Sequence, residues 1–389
     1  MPLTYSSPIA IVVSTLEEGQ RIAGMVQSLG FTQHQIFLSA LEAHEVCIRV
    51  QYPLFIIHND LPKVTGLTLI QKLRATGNYG FEAHLLLVDT LSELLLPVLH
   101  EFNIKYVLPK PFHTDRIRQK FESLVKEENN LPPFEQEYRA ALAAHCSGLT
   151  EMACDLAVKA MKAYGQSEKI LILLGDIEAS AQRSEEARTF YAAAMRINPM
   201  SSAAAHKIAH TYMMEKDFSR ATELLNHQMR LNPLNIELLT NAGLSNFEVG
   251  NYDKAKEALG QVRALDVTNK KAGETLASVA LKQGDVRGAC EIFKSSHNEA
   301  ELVQFLNSAG VKLSRSNDVQ GAINMYLQCL EVINKSEYVP AIYYNLGVAY
   351  TRINDLRKAV IFYKKALEKR PDFQRAAEAL ARLESKKSA

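Results

Sequence analysis

Five cysteines and a closely spaced pair of histidines are the first places to look for chemistry in these 389 residues. Cys47, Cys146, Cys154, Cys290 and Cys329 are scattered, with no C-x-x-C pair to chelate zinc or run thiol exchange. They read as small apolar side chains of a reducing compartment. His206 and His210 are four apart and would share a helix face, where two imidazoles can hold a metal with Asp176 arriving from the preceding segment. No H-E-x-x-H motif accompanies them and no third ligand is fixed in sequence, so ordinary polar surface is the stronger reading and no metal is expected. Met213 and Met214 read as packing or adaptable surface rather than redox groups. The sequence shows no nucleophile with its base and no phosphate-cradling glycine loop, so no catalytic residue and no cofactor is expected, and the chain is read as a non-enzyme.

The bulk numbers narrow the partners. Forty-four basic residues against 43 acidic ones leave a net charge of +1, which supplies no field to hold nucleic acid or an anionic membrane. The opening MPLTYSSPIAIVVSTLEEG lacks a basic region, and its apolar run of about six residues is far short of a span. The sequence therefore predicts a cytoplasmic protein with no membrane insertion.

Stepping a small residue along the chain reveals the elements that would position these groups. Ala153, Ala187, Ala221, Ala255, Ala289, Ala322 and Ala359 are spaced 34, 34, 34, 34, 33 and 37 residues apart, the period of a helix–turn–helix repeat. Twelve residues before each stands another small one: Ala141, Gly175, Ala209, Gly243, Ala277, Gly310 and Gly347. The two helices of a repeat must cross closely there. Four residues after each anchor is a filling position, Ala157, Tyr191, Leu225, Leu259, Phe293, Tyr326 and Tyr363, and Pro199, Pro233 and Pro371 end second helices.

This pattern resembles the tetratricopeptide repeat family over about two-thirds of the chain, residues 134–372, with roughly seven repeats. NAGLSNFEVGNYDKAKEAL and YNLGVAYTRINDLRKAVIFYKKALEKRP carry nearly the whole signature. Ala157 and Gly165 depart from it in the first repeat, and Ser296 in KSSHNEAELV departs in the fifth, where a bend is expected. Residues 373–389 supply a capping helix and tail. The resemblance implies an α-solenoid superhelix whose first helices line a groove for a protein or peptide partner. By repeat position the groove comprises Asp176, His206, His210, Met213, Met214, Thr240, Phe247, Glu274, Ser278, Asn307, Tyr344, Thr351 and Arg352. The lysine and asparagine with which some relatives grip a C-terminal carboxylate are absent, since His206 and His210 or Thr240 and Leu244 stand there.

Ahead of the repeats, residues 1–127 alternate β-branched runs with helical segments: IAIVV, QIFLSA, LFIIH, HLLLVD and YVLP are five strands among five helices. That order predicts a five-stranded parallel sheet with helices on both faces and a functional edge at the strand carboxyl ends. Pro62 and Gly66 after the third strand, and Lys110-Pro111-Phe112 after the fifth, resemble the receiver domain of response regulators, a flavodoxin-like fold. The resemblance implies an aspartate at the end of strand three as phosphoacceptor and an acidic pair after strand one for magnesium. Here His58 holds the acceptor position, Val13 and Ser14 hold the pair, and Val88 or Asp89 takes the hydroxyl position. Only Lys110 survives. Asp60, two residues beyond His58, is an alternative acceptor that Pro62 argues against, and His58 itself reads as inert because nothing nearby in sequence would activate it.

The expected molecule is therefore multidomain: a degenerate receiver, a short linker at 128–133, and the repeat array. The linker is polar and ends in two prolines, so the modules should touch. The function expected is an adaptor in bacterial signalling, with the receiver's fourth and fifth helices offering a second protein, or a second copy, a docking face. The alternative is a phosphorylation-dependent two-component regulator with a repeat output domain. Nucleic-acid control is disfavoured for want of a recognition helix or basic stripe.

Overall fold

The computed structural model describes residues 3–333 and 337–385. The chain divides into two compact units, Met1–Val267 and Thr268–Ala389, so the junction at 128–133 lies inside the first.

The first unit opens with β1 (Ile9–Val12), α1 (Leu16–Ser28), β2 (His34–Phe37), α2 (Ala40–Cys47), β3 (Leu54–His58), α3 (Gly66–Ala75), β4 (Ala83–Val88), α4 (Leu96–Glu101), β5 (Tyr106–Pro109) and α5 (Thr114–Glu128). All strands are parallel, in the order β2-β1-β3-β4-β5. That is the doubly wound order whose crevice opens where the sheet reverses direction, between β1 and β3. Because helices cover both faces, β1, β3 and β4 are buried along their whole length. Ile9, Ile11, Leu54, Ile56, Leu85 and Leu87 join the core under α1 and α5, while Ala10, Val12, Phe55, Ile57 and Leu86 join that under α2 and α3. Thr15, Ser39 and Thr65 cap α1, α2 and α3, which fixes where each helix leaves its strand.

The array follows at once, since Pro133 starts α6 (Pro133–Cys146) at its first position, where the missing N–H costs nothing. Helix pairs continue with α7 (Thr150–Tyr164), α8 (Glu168–Ser180), α9 (Ser184–Ile197), α10 (Ser202–Met214), α11 (Phe218–Leu231), α12 (Ile236–Glu248) and α13 (Tyr252–Leu265). The second unit holds α14 (Lys270–Lys282), α15 (Val286–Lys294), α16 (Glu299–Arg315), α17 (Val319–Val332), α18 (Val339–Arg352), α19 (Leu356–Lys369) and α20 (Gln374–Ser385). The last of these stands where a capping helix is expected; residues 386–389 of the expected tail lie outside the described residues.

Four crossings fall where the expected glycines stand. A Cβ on Gly175 would lie 2.3 Å from Tyr191, on Gly243 2.3 Å from Leu259, on Gly310 2.1 Å from Tyr326, and on Gly347 2.5 Å from Tyr363. Each glycine thus seats the large residue of its partner helix, and any side chain there would overlap it. The first repeat solves the same problem with two small residues, Ala141 and Ala157, both fully buried. In repeat five, α15 stops at Lys294 and the turn that follows leads into α16, whose Asn298 and Glu301 cap each other. His297 stacks on Phe293 at 4.0 Å there, and Ser296 fills the space beside Gly273.

Within the first unit the sheet domain is fastened to the array through the β3–α3 loop, α3 and the end of α4. Thr65 N donates to Leu265 O at 3.2 Å and Val267 N donates to Lys63 O at 3.1 Å, so the β3–α3 loop is tied to the end of α13 by its own backbone. Gln71 of α3 donates to Leu234 O at 2.9 Å and accepts from Ile236 N at 2.8 Å; Lys72 pairs with the fully buried Asp266 at 2.9 Å. At the end of α4, Ser202 Oγ (3.0 Å) and the side-chain amides of Asn232 (2.6 Å) and Asn235 (2.9 Å) donate to the Glu101 carboxylate. Burial pushes that carboxyl above its ordinary range, partly offset by the donors. Near the junction Arg139 of α6 forks onto Glu128 and lies over Phe81. The modules touch through α3, the β3–α3 loop and the end of α4, and the end of α5 meets the first repeat at Glu128, toward which the sequence pointed.

Candidate functional site

The crevice at the carboxyl ends of β1, β3 and β4 gathers five charged or titratable side chains from five places in the chain. His58 ends β3 and is buried, with Phe112 edge-on to its ring at 5.2 Å. Its Nε2 meets Asp89 Oδ1 at 2.8 Å, and its Nδ1 faces Glu18 Oε2 at 3.7 Å. Lys110 Nζ lies 2.6 Å from the same Asp89 oxygen. Asp60 Oδ2 accepts from Asp89 N at 2.9 Å. Hydrogen bonding from the Lys110 ammonium holds the Asp89 carboxyl below its ordinary range, with His58 adding to the effect.

Against the sequence reading this pocket brings one simplification and two corrections. Val88 is buried in β4, and Asp89 is the residue that enters the pocket. Val13 does not line it: it belongs to the apolar core beneath β1, while Ser14 is exposed. The acid that approaches from this end is Glu18, one turn into α1. His58, expected to stand apart from any activating group, lies against two carboxylates. Spacing from Pro62 located His58 and Asp60; nothing in the linear sequence signals that Glu18 and Asp89 converge on one ring. The carboxylate missing from the end of β3 reappears at the end of β4, and Lys110 keeps its anionic partner by changing strands.

The groove positions also divide. His206 is buried, bonded to Asn241 at 2.9 Å, and burial lowers its pKa to about 4. Thr240 is buried too and donates to Ile236 O. Neither lines an open surface, and His206 is engaged with Asn241 on the next first helix. Asp176 accepts from Tyr191 at 2.7 Å and pairs with Lys207 at 2.9 Å, bracing α8 against α9 and α10. His210 and Met214 are exposed, with Met213 and Phe247 half-buried beside them in sequence or repeat position. In the second unit Glu274 and Arg352 are exposed and Ser278 and Thr351 half-buried. Asn307 accepts from Asn345, and Tyr344 is held between Tyr363 and Phe373.

A family model described as "Tetratricopeptide repeat" matches residues 340–373, which contain α19 and all but the first residue of α18. Residues 340–373 form a tetratricopeptide repeat. The pairs at Gly175, Gly243 and Gly310 repeat the crossing seen there, a small residue under a filling residue. Among curated proteins, the probable UDP-N-acetylglucosamine–peptide N-acetylglucosaminyltransferase SPINDLY of Hordeum vulgare is 28% identical over 152 residues, 39% of this chain and 13% of that protein. The BBSome complex member BBS4 of Bos taurus is 26% identical over 187 residues, 46% of this chain and 35% of that protein. The chain thus spans well under half the length of either relative. Of solved structures, the Vibrio cholerae chemotaxis protein CheY4 is 17% identical, with a TM-score of 0.29, covering 31% of this chain and 98% of that one. The N-terminal sheet has the strand order of such receivers. Among the described residues, no helix is long and apolar enough to cross a membrane.

Proposed function

We propose that this chain is a non-catalytic adaptor of bacterial signalling, in which the tetratricopeptide array takes a protein or peptide partner and the receiver-like domain works without phosphorylation. The observation that carries the reading is a division of labour among the groove positions. Asp176, His206, Thr240 and Tyr344 are spent on holding helices together and Glu274 meets His297 at 3.1 Å, whereas Met214 and Arg352 stay exposed on first helices of the repeats. Methionine beside polar groups makes an adaptable surface for a peptide or helix.

Two features support independence from phosphorylation. An imidazole ends β3 where an acyl phosphate would have to form, and Asp89 is already paired with Lys110 and His58. The loop that would carry a switch is pinned to α13 by backbone hydrogen bonds. The domain serves as a buttress for repeats three and four, and its second docking surface lies where the array leaves it open: Leu91, Leu94 and Leu96, each more than half exposed, flank the start of α4.

The test is capture from native extract with the full chain and a Met213→Glu/Met214→Glu variant of unchanged melting behaviour. A specific protein kept by the first and lost by the second supports the reading. Retention by both variants equally would place binding elsewhere.

A further inference from the structure

We propose that the end of β3 carries a site for one divalent transition-metal ion, ligated by His58 Nε2, Asp60 and Asp89, with Glu18 orienting the imidazole. Ligand atoms of His58, Asp60 and Asp89 lie within 4.8 Å of one another. The second observation is the ring itself: His58 is 96% buried, and its Nδ1 has no hydrogen-bond partner. A buried ring nitrogen left unpaired is costly, and here it faces a carboxylate 3.7 Å away, just beyond hydrogen-bond reach. Metal-bound histidines commonly donate their other N–H to a carboxylate, which fixes tautomer and ring orientation. Glu18, itself mostly buried, is in place to be that acceptor once Nε2 is committed to a metal.

The ligand spacing is compatible with one ion. Two donors on zinc at about 2.1 Å stand roughly 3.4 Å apart, so His58 and Asp89, now 2.8 Å apart, need to part by only about half an ångström. Asp89 and Asp60 are on the solvent side, which leaves an entry path and room for water as a further ligand. Three carboxylates face one ammonium, that of Lys110. Lys110 is the resident cation and the competitor, and its half-exposed, flexible side chain can leave Asp89 without unpacking anything. One imidazole among carboxylates suits zinc, cobalt, nickel or manganese, whereas magnesium prefers an all-oxygen shell. The ligand set is therefore different from the acidic pair and aspartate that receiver chemistry uses, and the proposal stands apart from the groove reading.

The experiment uses the full chain, stripped with chelator and titrated with zinc chloride by calorimetry against a competing chelator. One zinc per chain is expected, with affinity falling about ten- to a hundred-fold in Asp60→Asn and Asp89→Asn, similarly in Glu18→Gln, and unchanged or tighter in Lys110→Ala. Excess magnesium should not displace it. Asp60→Asn changes an exposed side chain and leaves the core intact, so its loss of binding cannot be a folding defect. No zinc uptake by the wild type, or an affinity in Asp60→Asn and Asp89→Asn equal to that of the wild type, would overturn the proposal.

Discussion

The helix crossings of the array and the crevice of the N-terminal sheet keep their geometry by opposite means. At a crossing, one small residue faces one large residue at a fixed distance in sequence, and the pair recurs from Gly175 with Tyr191 to Gly347 with Tyr363. In the crevice, the chain has exchanged one ligand for another: a carboxylate leaves β3, an imidazole takes its place, and Asp89 on β4 becomes the anion that Lys110 holds. Packing tolerates little substitution because steric overlap is steep. A charge network can be rebuilt from other strands so long as each buried charge finds a partner.

The sharpest way to break this comparison is to fill a crossing. Gly243→Val puts atoms where Leu259 already stands, and should cost about 3 kcal/mol, seen as a fall in melting temperature of the first unit. Gly260→Ala, in the middle of α13 with open space around it, should instead gain about 0.5–1 kcal/mol. Equal losses from both would mean that helix propensity, and not the crossing, governs the array.

A smaller effect is expected where the sheet domain meets the repeats. Glu101→Ala strands Ser202, Asn232 and Asn235 as donors and should weaken the docking by about 1–3 kcal/mol, read as faster hydrogen exchange at Ile236, Thr65 and Val267. The pH dependence has a definite sign. Burial raises the Glu101 carboxyl above its unfolded value, so the folded state binds that proton more tightly and gains stability as pH falls from neutrality toward the ordinary carboxylate range. The wild type should therefore gain on Glu101→Gln as the solution is acidified, in parallel urea melts.

The smallest change probes the crevice alone. His58→Asp restores the residue type that receiver chemistry wants but sets it against Asp89 and Glu18, so it should lose about 1 kcal/mol, less in high salt. Stability equal to wild type would mean that the network is not what holds the crevice together.

These cases also show what could be read in advance. The alternation of strands and helices, the helix pairs and the glycine crossings were legible because each depends on local periodicity or one recurrent spacing. His58 and Lys110 were legible from neighbouring proline and glycine. Glu18, Asp89 and the whole docking of Gln71, Lys72 and Glu101 onto Leu234, Asp266 and Asn235 were not, because they join residues from about 30 to nearly 200 positions apart with no repeat to announce them. His206 and Thr240 misled for a related reason: repeat position gives the helix face, while burial depends on what packs over it from the next pair.

The central claim, a protein-binding array beside a domain that does not signal by phosphorylation, is tested most directly by one capture experiment. Native extract is passed over the full chain and over the Met213→Glu/Met214→Glu variant, each with and without acetyl phosphate and magnesium. The account predicts a specific protein on the wild type, lost on the variant and indifferent to acetyl phosphate. A partner that binds only after the chain has taken up a phosphoryl group would contradict it.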